Sequence, residues 1–232
     1  MLGQFDTNIV LWLNAILSSH FWLAKAASAL ALNPIARGVP IFVPLIVLWF
    51  SPDHIADRGR MVLGLAGTCF ATLLSVLLQK HLHVDVRPFF DPALHLYQVN
   101  RVDLSQWDRV NSFPSDTATL YFALSTVIFL EWRLAGAFSY IWSFITTGIC
   151  RAALGFHYPS DILAGILLGT SMVLLFTAAS PFAQRLQRHL GEFGPRKAWI
   201  HAALFLLLAD AYSQFEGLQG VMRFLTRIGH SG

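Results

Sequence analysis

Long apolar runs separated by short polar segments dominate this sequence. Since a helix needs about 20 apolar residues to cross the hydrocarbon core of a bilayer, runs of this length are typical of transmembrane helices. The pattern predicts an all-α protein, a polytopic membrane bundle with about six or seven transmembrane helices. The last apolar run is predicted to form an extra C-terminal helix and is a candidate seventh span. In order, the apolar stretches cover residues 8–32, 39–50, 61–79, 117–130, 137–149, 162–179 and 198–212.

Composition supports the membrane assignment. The chain is 55% hydrophobic and only 12% charged, and the charged share is roughly half that of a soluble domain. The basic residues are scattered, which excludes a nucleic-acid-binding surface. Cys69 and Cys150 lack metal-ligand spacing, and we expect both to be free thiols. The small residues Ala164, Gly165 and Gly169 are typical of a close helix contact.

Three polar clusters interrupt the apolar pattern. They are KHLHVDVRP at Lys80–Pro88, FPSD at Phe113–Asp116 and CRAALGFHYPSD at Cys150–Asp161. Ionisable groups at membrane depth are costly and indicate a functional site. A loop joins the first two clusters and two spans separate the second from the third, so all three are predicted on one side of the bundle. The loops of the opposite side carry more Arg and Lys, which favours placing the clusters outside the cytoplasm.

The converging residue types suit a highly charged anion. Lys80, Arg87 and Arg151 supply cations, and Arg matches phosphate oxygens in bidentate geometry. Ser115 or Asp116 is expected near the N-cap of a helix, where free backbone N–H groups bind anions. The clusters therefore predict a phosphate site.

The spacing of the three motifs resembles that of the type 2 phosphatidic acid phosphatase family, which is related to bacterial acid phosphatases and vanadium haloperoxidases. That family shows Lys-x6-Arg-Pro, then Pro-Ser-Gly-His, then Ser-Arg-x5-His-x3-Asp. The resemblance covers about residues 60–180 of what we expect to be one integral membrane domain, residues 1–232. The matching positions are Lys80, Arg87 and Pro88, then Pro114 and Ser115, then Arg151, His157 and Asp161, with Cys150 in place of Ser.

The resemblance implies a role for each matching residue. His157 would be the nucleophile that forms a phosphohistidine, and Asp161 would orient it. The phosphate oxygens would be held by Lys80, Arg87, Ser115, Arg151 and the backbone N–H of Asp116. The resemblance implies a core of six transmembrane helices, no metal and no cofactor. It implies a lipid phosphate drawn from the bilayer as substrate, no nucleic-acid partner, and a bacterial inner membrane location with the site facing the periplasm or outside. The oligomeric state stays open.

One position departs from the family pattern. Thr117 stands where the family has the histidine that protonates the leaving oxygen, and general acids contribute roughly 10²- to 10⁴-fold to a rate. An alcohol leaves as an alkoxide, whose conjugate acid has a pKa near the value of about 15.7 for water. A phosphate monoester leaves with a pKa of about 6. The departure therefore favours a lipid diphosphate, with polyprenyl (undecaprenyl) diphosphate as the leading candidate.

The sequence is compatible with three further interpretations of Thr117. Asp116 could donate the proton, His81 or His83 could replace the missing acid, or Thr117 could be an engineered substitution. Two further functions also stay open for the chain. One is a non-catalytic protein that binds or transports a lipid phosphate, and the other is a lipid phosphotransferase on the same scaffold.

Overall fold

A computed structural model describes residues 2–82, 86–99 and 111–178, with single positions at 185 and 203. The predicted C-terminal helix at 198–212 and the candidate acid His83 lie outside the described residues. Every regular element of the described part is helical, which confirms the all-α prediction there. The helices are α1 (Leu2–Ser19), α2 (Phe21–Leu32), α3 (Pro34–Phe50), α4 (Arg58–His81), α5 (Asp116–Glu131), α6 (Arg133–Ser143), α7 (Cys150–Ala153) and α8 (Pro159–Thr177), with short 3-10 turns at Pro52–Asp57, Pro88–Phe90 and Pro92–Leu94.

Two helices of the described part, α4 and α8, are long and apolar enough to cross a membrane. The pair α2 and α3 meets the same criterion together and bends by 56°. The bend falls at Asn33, whose side chain accepts hydrogen bonds from the first free N–H groups of α3. Pro40 and Pro44 lie inside α3, which continues through both. The full set of six spans stays a prediction.

A π-helical turn at Phe144–Ile149 joins α6 to α7. The residues on both sides of the turn, Ser143 and Cys150, keep right-handed helical dihedrals. One continuous helix therefore runs from the end opposite the site to Arg151. π-turns are rare and occur frequently at functional sites, and this one ends directly before the third motif.

Helix α5 is the centre of the bundle. Every residue from Asp116 to Ile128 is buried, and a helix that is apolar all round is expected in a core. Tyr121, Leu124 and Val127 pack into the main hydrophobic cluster together with residues of α3, α4 and α8. The outward face of α8 is apolar as well, with Leu163, Leu167 and Leu174 between 47% and 62% exposed, as a lipid-facing surface requires.

Helices α5 and α8 are in backbone contact. An added Cβ at Gly165 would lie 2.5 Å from the carbonyl oxygen of Ser115, and one at Gly169 would lie 2.3 Å from that of Thr119. The small-residue pattern therefore does mark a packing face, as predicted. This contact places the start of α8 against the start of α5, which brings the second and third motifs together.

We expect Gly169→Ala to destabilise the protein by about 1–3 kcal/mol, because the new methyl group meets backbone and not a movable side chain. Thermal unfolding in detergent measures the effect. Gly3→Ala is the matched control, since nothing lies within 4 Å of an added Cβ there. Equal melting temperatures for the two variants would contradict the close contact between α5 and α8.

Candidate active site

The end of α7 determines the distance between Arg151 and His157. The N–H of Phe156 donates to the carbonyl of Arg151 at 2.9 Å, and that of Gly155 donates to Ala152 at 3.0 Å. This pair of bonds is the Schellman motif, which ends a helix at a left-handed residue. Gly155 has a φ of +74°, a conformation that glycine adopts without strain. The turn reverses the chain, so the imidazole of His157 returns to the guanidinium of Arg151.

The start of α8 determines the position of Asp161. Pro159 is the first helical residue, where a missing N–H costs nothing. Two positions later, Asp161 Oδ2 accepts from the N–H of Tyr158 at 2.8 Å. Asp161 therefore caps its own helix, and its other oxygen, Oδ1, is buried with no hydrogen-bond partner among the described residues.

The first motif docks onto the turn of the third. The N–H of Phe89 donates to the carbonyl of Gly155 at 2.7 Å, and the rings of Phe89 and Phe156 lie 6.1 Å apart. Arg87 Nη1 also donates to the carbonyl of Phe156, at 3.1 Å. These contacts place the Arg87 side chain inside the helix bundle, where it is buried.

The second motif starts α5 as predicted. Ser115 is the N-cap, and its hydroxyl accepts from the N–H of Ala118 at 3.3 Å. The N–H of Ser115 donates to the carbonyl of Asp161 at 3.0 Å, which joins the starts of α5 and α8. Gln79 Nε2 donates to the carbonyl of Pro114 at 2.6 Å and holds the end of α4 beside them.

His157 lies at the centre of this arrangement and is fully buried. Its Nε2 is 3.2 Å from Arg87 Nη1 and 3.1 Å from Arg151 Nη2. A guanidinium can only donate, so Nε2 must be the accepting nitrogen. Nδ1 then carries the proton and donates to the carbonyl of Ser112 at 3.0 Å. The network assigns a neutral imidazole with its Nε2 lone pair between two cations.

The surroundings keep this imidazole neutral. His157 lies in the connection between α7 and α8, and burial lowers its pKa well below the usual range. The positive charges of Arg87 and Arg151 lower the pKa of His157 further. A neutral imidazole is the nucleophilic form, so the charges that would bind a phosphate also preserve the lone pair that would attack it.

The predicted orienting residue is near His157 without bonding to it. Asp161 Oδ2 lies 3.8 Å from Nδ1, which is longer than a hydrogen bond. The carbonyl of Ser112 holds the ring instead. The sequence analysis did not identify Ser112, because every residue carries a backbone carbonyl and no sequence motif marks which one accepts a hydrogen bond.

Asp116 and Thr117 face the site from the first turn of α5. Asp116 Oδ1 accepts from the N–H of Thr117 at 2.7 Å and from its hydroxyl at 3.3 Å. The positive charges of Arg87 and Arg151 act on the Asp116 carboxylate, which is buried. Asp116 therefore supplies a negative charge beside the two guanidinium groups.

Lys80 is the exception among the predicted site residues. It lies in the last turn of α4 and is exposed, whereas the other seven are buried, namely Arg87, Ser115, Asp116, Thr117, Arg151, His157 and Asp161. His81, one of the candidate replacement acids, is exposed in the same turn. The structure thus gathers two of the three predicted cations around His157.

A sequence profile described as the PAP2 superfamily matches residues 61–185. This chain belongs to the PAP2 superfamily. The match includes all three motifs and confirms the family resemblance of the sequence. No solved structure shows a significant match to the chain.

The chain is also similar to three individual bacterial proteins. The chain is 31% identical over 137 residues to the bacitracin transport permease protein BcrC of Bacillus licheniformis, covering 59% of this chain and 63% of that protein's length. It is 24% identical over 209 residues to YbjG of Escherichia coli (strain K12), named as a candidate undecaprenyl-diphosphatase, covering 86% of this chain and 99% of the relative. It is 26% identical over 137 residues to the undecaprenyl-diphosphatase BcrC of Bacillus subtilis (strain 168), covering 57% and 63%.

We expect His157 to keep the neutral Nδ1–H form at pH values where an ordinary histidine is already protonated, because its lowered pKa moves protonation to lower pH. Nitrogen NMR of histidine-labelled protein measures the tautomer, and His157→Gln assigns the signal by difference. A midpoint near the usual value of about 6.5 would contradict the assignment.

Proposed function

We propose that this chain is a membrane lipid phosphatase that hydrolyses a lipid diphosphate through a phosphohistidine on His157. The observation that carries the proposal is the position of Nε2, which accepts from Arg87 and Arg151 at 3.2 and 3.1 Å while Nδ1 is bound to Ser112. A phosphoryl group placed against Nε2 would have its oxygens beside both guanidinium groups. Family membership supports the same reaction class.

The first step is attack of the Nε2 lone pair on the terminal phosphorus. A P–N bond forms, the P–O bond to the leaving group breaks, and the leaving oxygen keeps the electron pair. Arg87 and Arg151 stabilise charge on the equatorial oxygens, which is where it resides during phosphoryl transfer. The imidazole becomes cationic because Nδ1 keeps its proton, and both the Ser112 carbonyl and the Asp161 carboxylate at 3.8 Å face that charge.

The second step releases inorganic phosphate. Water attacks the phosphorus, the P–N bond breaks, and Nε2 recovers its lone pair between the guanidinium groups. Both hydrogens of the water leave with the product as dihydrogen phosphate, and Nδ1 keeps its own proton. The phosphotransferase alternative differs only here, since a lipid or sugar hydroxyl would take the place of water. We propose that Ser115 and the backbone N–H of Asp116 complete the phosphate site and that Lys80 contributes from the rim.

The substrate assignment rests on the leaving group. Thr117 cannot protonate an alkoxide, and Asp116 beside two guanidinium groups serves better as a counter-charge than as a proton donor. A lipid monophosphate leaving group with a pKa of about 6 needs no donor. Two relatives whose names refer to undecaprenyl-diphosphatase support polyprenyl diphosphate. We propose that the site faces the outside of a bacterial inner membrane.

A second candidate function is lipid-phosphate binding or transport without turnover. Thr117 favours it, since the usual acid is missing, and one relative is named a transport permease. Asp116 counts against it, because a carboxylate beside the phosphate site opposes a tightly held anion. Binding that persists in a protein that releases no phosphate from any lipid would support this candidate over the phosphatase.

We expect His157→Ala to abolish phosphate release from polyprenyl diphosphate, because the lone pair held between Arg87 and Arg151 belongs to this imidazole. Inorganic phosphate release by purified protein in detergent is the measurement. Arg133→Gln, at an exposed position on α6, is the control that should keep full activity. Unchanged release by His157→Ala would exclude the phosphohistidine.

We expect Thr117→His to raise turnover of phosphatidic acid by up to about 10²- to 10⁴-fold and to change turnover of polyprenyl diphosphate little. A restored acid helps the poor alkoxide leaving group and not the good phosphate one. Initial rates across a panel of lipid monophosphates and diphosphates measure the split. An equal gain on both classes would refute the leaving-group argument, and so would a wild-type preference for phosphatidic acid.

A further inference from the structure

A third arginine, from outside the three motifs, contacts α5 one turn beyond Thr117. Arg37 lies in the first turn and a half of α3, and its Nε donates to the hydroxyl of Tyr121 at 3.2 Å. Its guanidinium carbon lies 5.3 Å from the centre of the Tyr121 ring. Gly38, the next residue of α3, also packs beside the Tyr121 hydroxyl, since a Cβ there would lie 3.4 Å from it.

The hydrogen bond to Tyr121 places Arg37 against the face of α5 that carries Thr117 one turn earlier. The charge of Arg37 also acts on the guanidinium of Arg151. Tyr121 follows Thr117 by four residues on α5, so the two share a helix face. The Arg37–Tyr121 pair therefore lies one turn beyond the position where the family carries its leaving-group acid.

A diphosphate substrate presents a second phosphate in addition to the one that the two guanidinium groups at His157 Nε2 would hold. A lipid diphosphate carries about three negative charges near neutral pH, of which the terminal phosphoryl group occupies Arg87 and Arg151. The second phosphate then needs a cation on the leaving-group side.

We propose that Arg37 binds the lipid-linked phosphate of a diphosphate substrate and that Tyr121 positions its guanidinium for this contact. The inference rests on the proposed function in one respect, that a lipid diphosphate reacts at His157. It adds a specificity residue: Arg37 stabilises the departing phosphate by charge in place of the proton that Thr117 cannot supply. A lipid monophosphate has no group at this position.

A purely architectural role makes a different prediction. Arg37 Nη1 also donates to the carbonyl of Ala31 at 2.8 Å, in the last turn of α2. If Arg37 served only to hold α2 against α3, its loss would weaken every ligand equally. Selectivity between one phosphate and two is therefore the deciding measurement.

The experiment is calorimetric measurement of binding by the full chain in detergent, with two non-hydrolysable lipids. These are a farnesyl methylenediphosphonate and a farnesyl phosphonate. We expect Arg37→Gln to lower the affinity for the diphosphonate about 10- to 100-fold, because a hydrogen bond between charged groups is lost. The affinity for the monophosphonate should fall less than about 2-fold. Arg37→Lys keeps the charge and should recover part of the loss. Arg133→Gln, an exposed arginine, should change neither affinity.

Tyr121→Phe provides the second test, which stands even if Arg37→Gln fails to fold. It removes the hydroxyl that holds Arg37 and leaves the bond to Ala31, so we expect a selective loss of several-fold for the diphosphonate. Equal weakening of both lipids, or no weakening of the diphosphonate, overturns the subsite. If the wild-type protein binds the diphosphonate selectively but releases no phosphate from polyprenyl diphosphate, the phosphatase is refuted and the subsite stands. If it releases phosphate but Arg37→Gln weakens both lipids equally, the phosphatase stands and the subsite is refuted.

Discussion

The hydrogen bond from His157 Nδ1 to the carbonyl of Ser112 is the interaction on which the site depends. At 3.0 Å it fixes the proton on one nitrogen and leaves the other as an acceptor. Without that assignment, Nε2 would point a proton at two guanidinium groups that can only donate. In that tautomer the buried Nε2–H would have no acceptor and would lie against two positive charges. With the proton on Nδ1, burial and the two positive charges keep the imidazole neutral, and its Nε2 lone pair faces Arg87 and Arg151.

Three helix ends build this geometry. The Schellman turn at Gly155 returns His157 to Arg151, the cap at Asp161 starts α8, and the N-cap at Ser115 starts α5. Each is a local solution to unpaired backbone groups, and each lies inside a sequence motif. The backbone contact of α8 at Gly165 then joins the three ends. Chemistry and helix capping therefore share the same residues, which explains why the motif spacing is so restrictive.

The sequence predicted much of this and missed the rest for identifiable reasons. Hydropathy placed α4 and α8 well, because both are long and strongly apolar. It treated residues 8–32 as one stretch, whereas the structure divides them into α1 and α2 at His20. Motif spacing identified the buried site side chains. It could not reveal Ser112, whose role belongs to the main chain, or Arg37, whose approach depends on how α3 packs against Tyr121. Lys80 matched its motif and is nevertheless exposed.

The use of a main-chain acceptor gives the two halves of the site different sensitivity to substitution. Any residue at position 112 presents a carbonyl, so a point change there leaves the acceptor of the Nδ1 proton in place. At position 117 the family's leaving-group histidine acts through its side chain, so one substitution adds or removes that group. If the proposed reaction holds, substitution at this one position would change the class of leaving group, while the tautomer of the proposed nucleophile follows from the backbone fold.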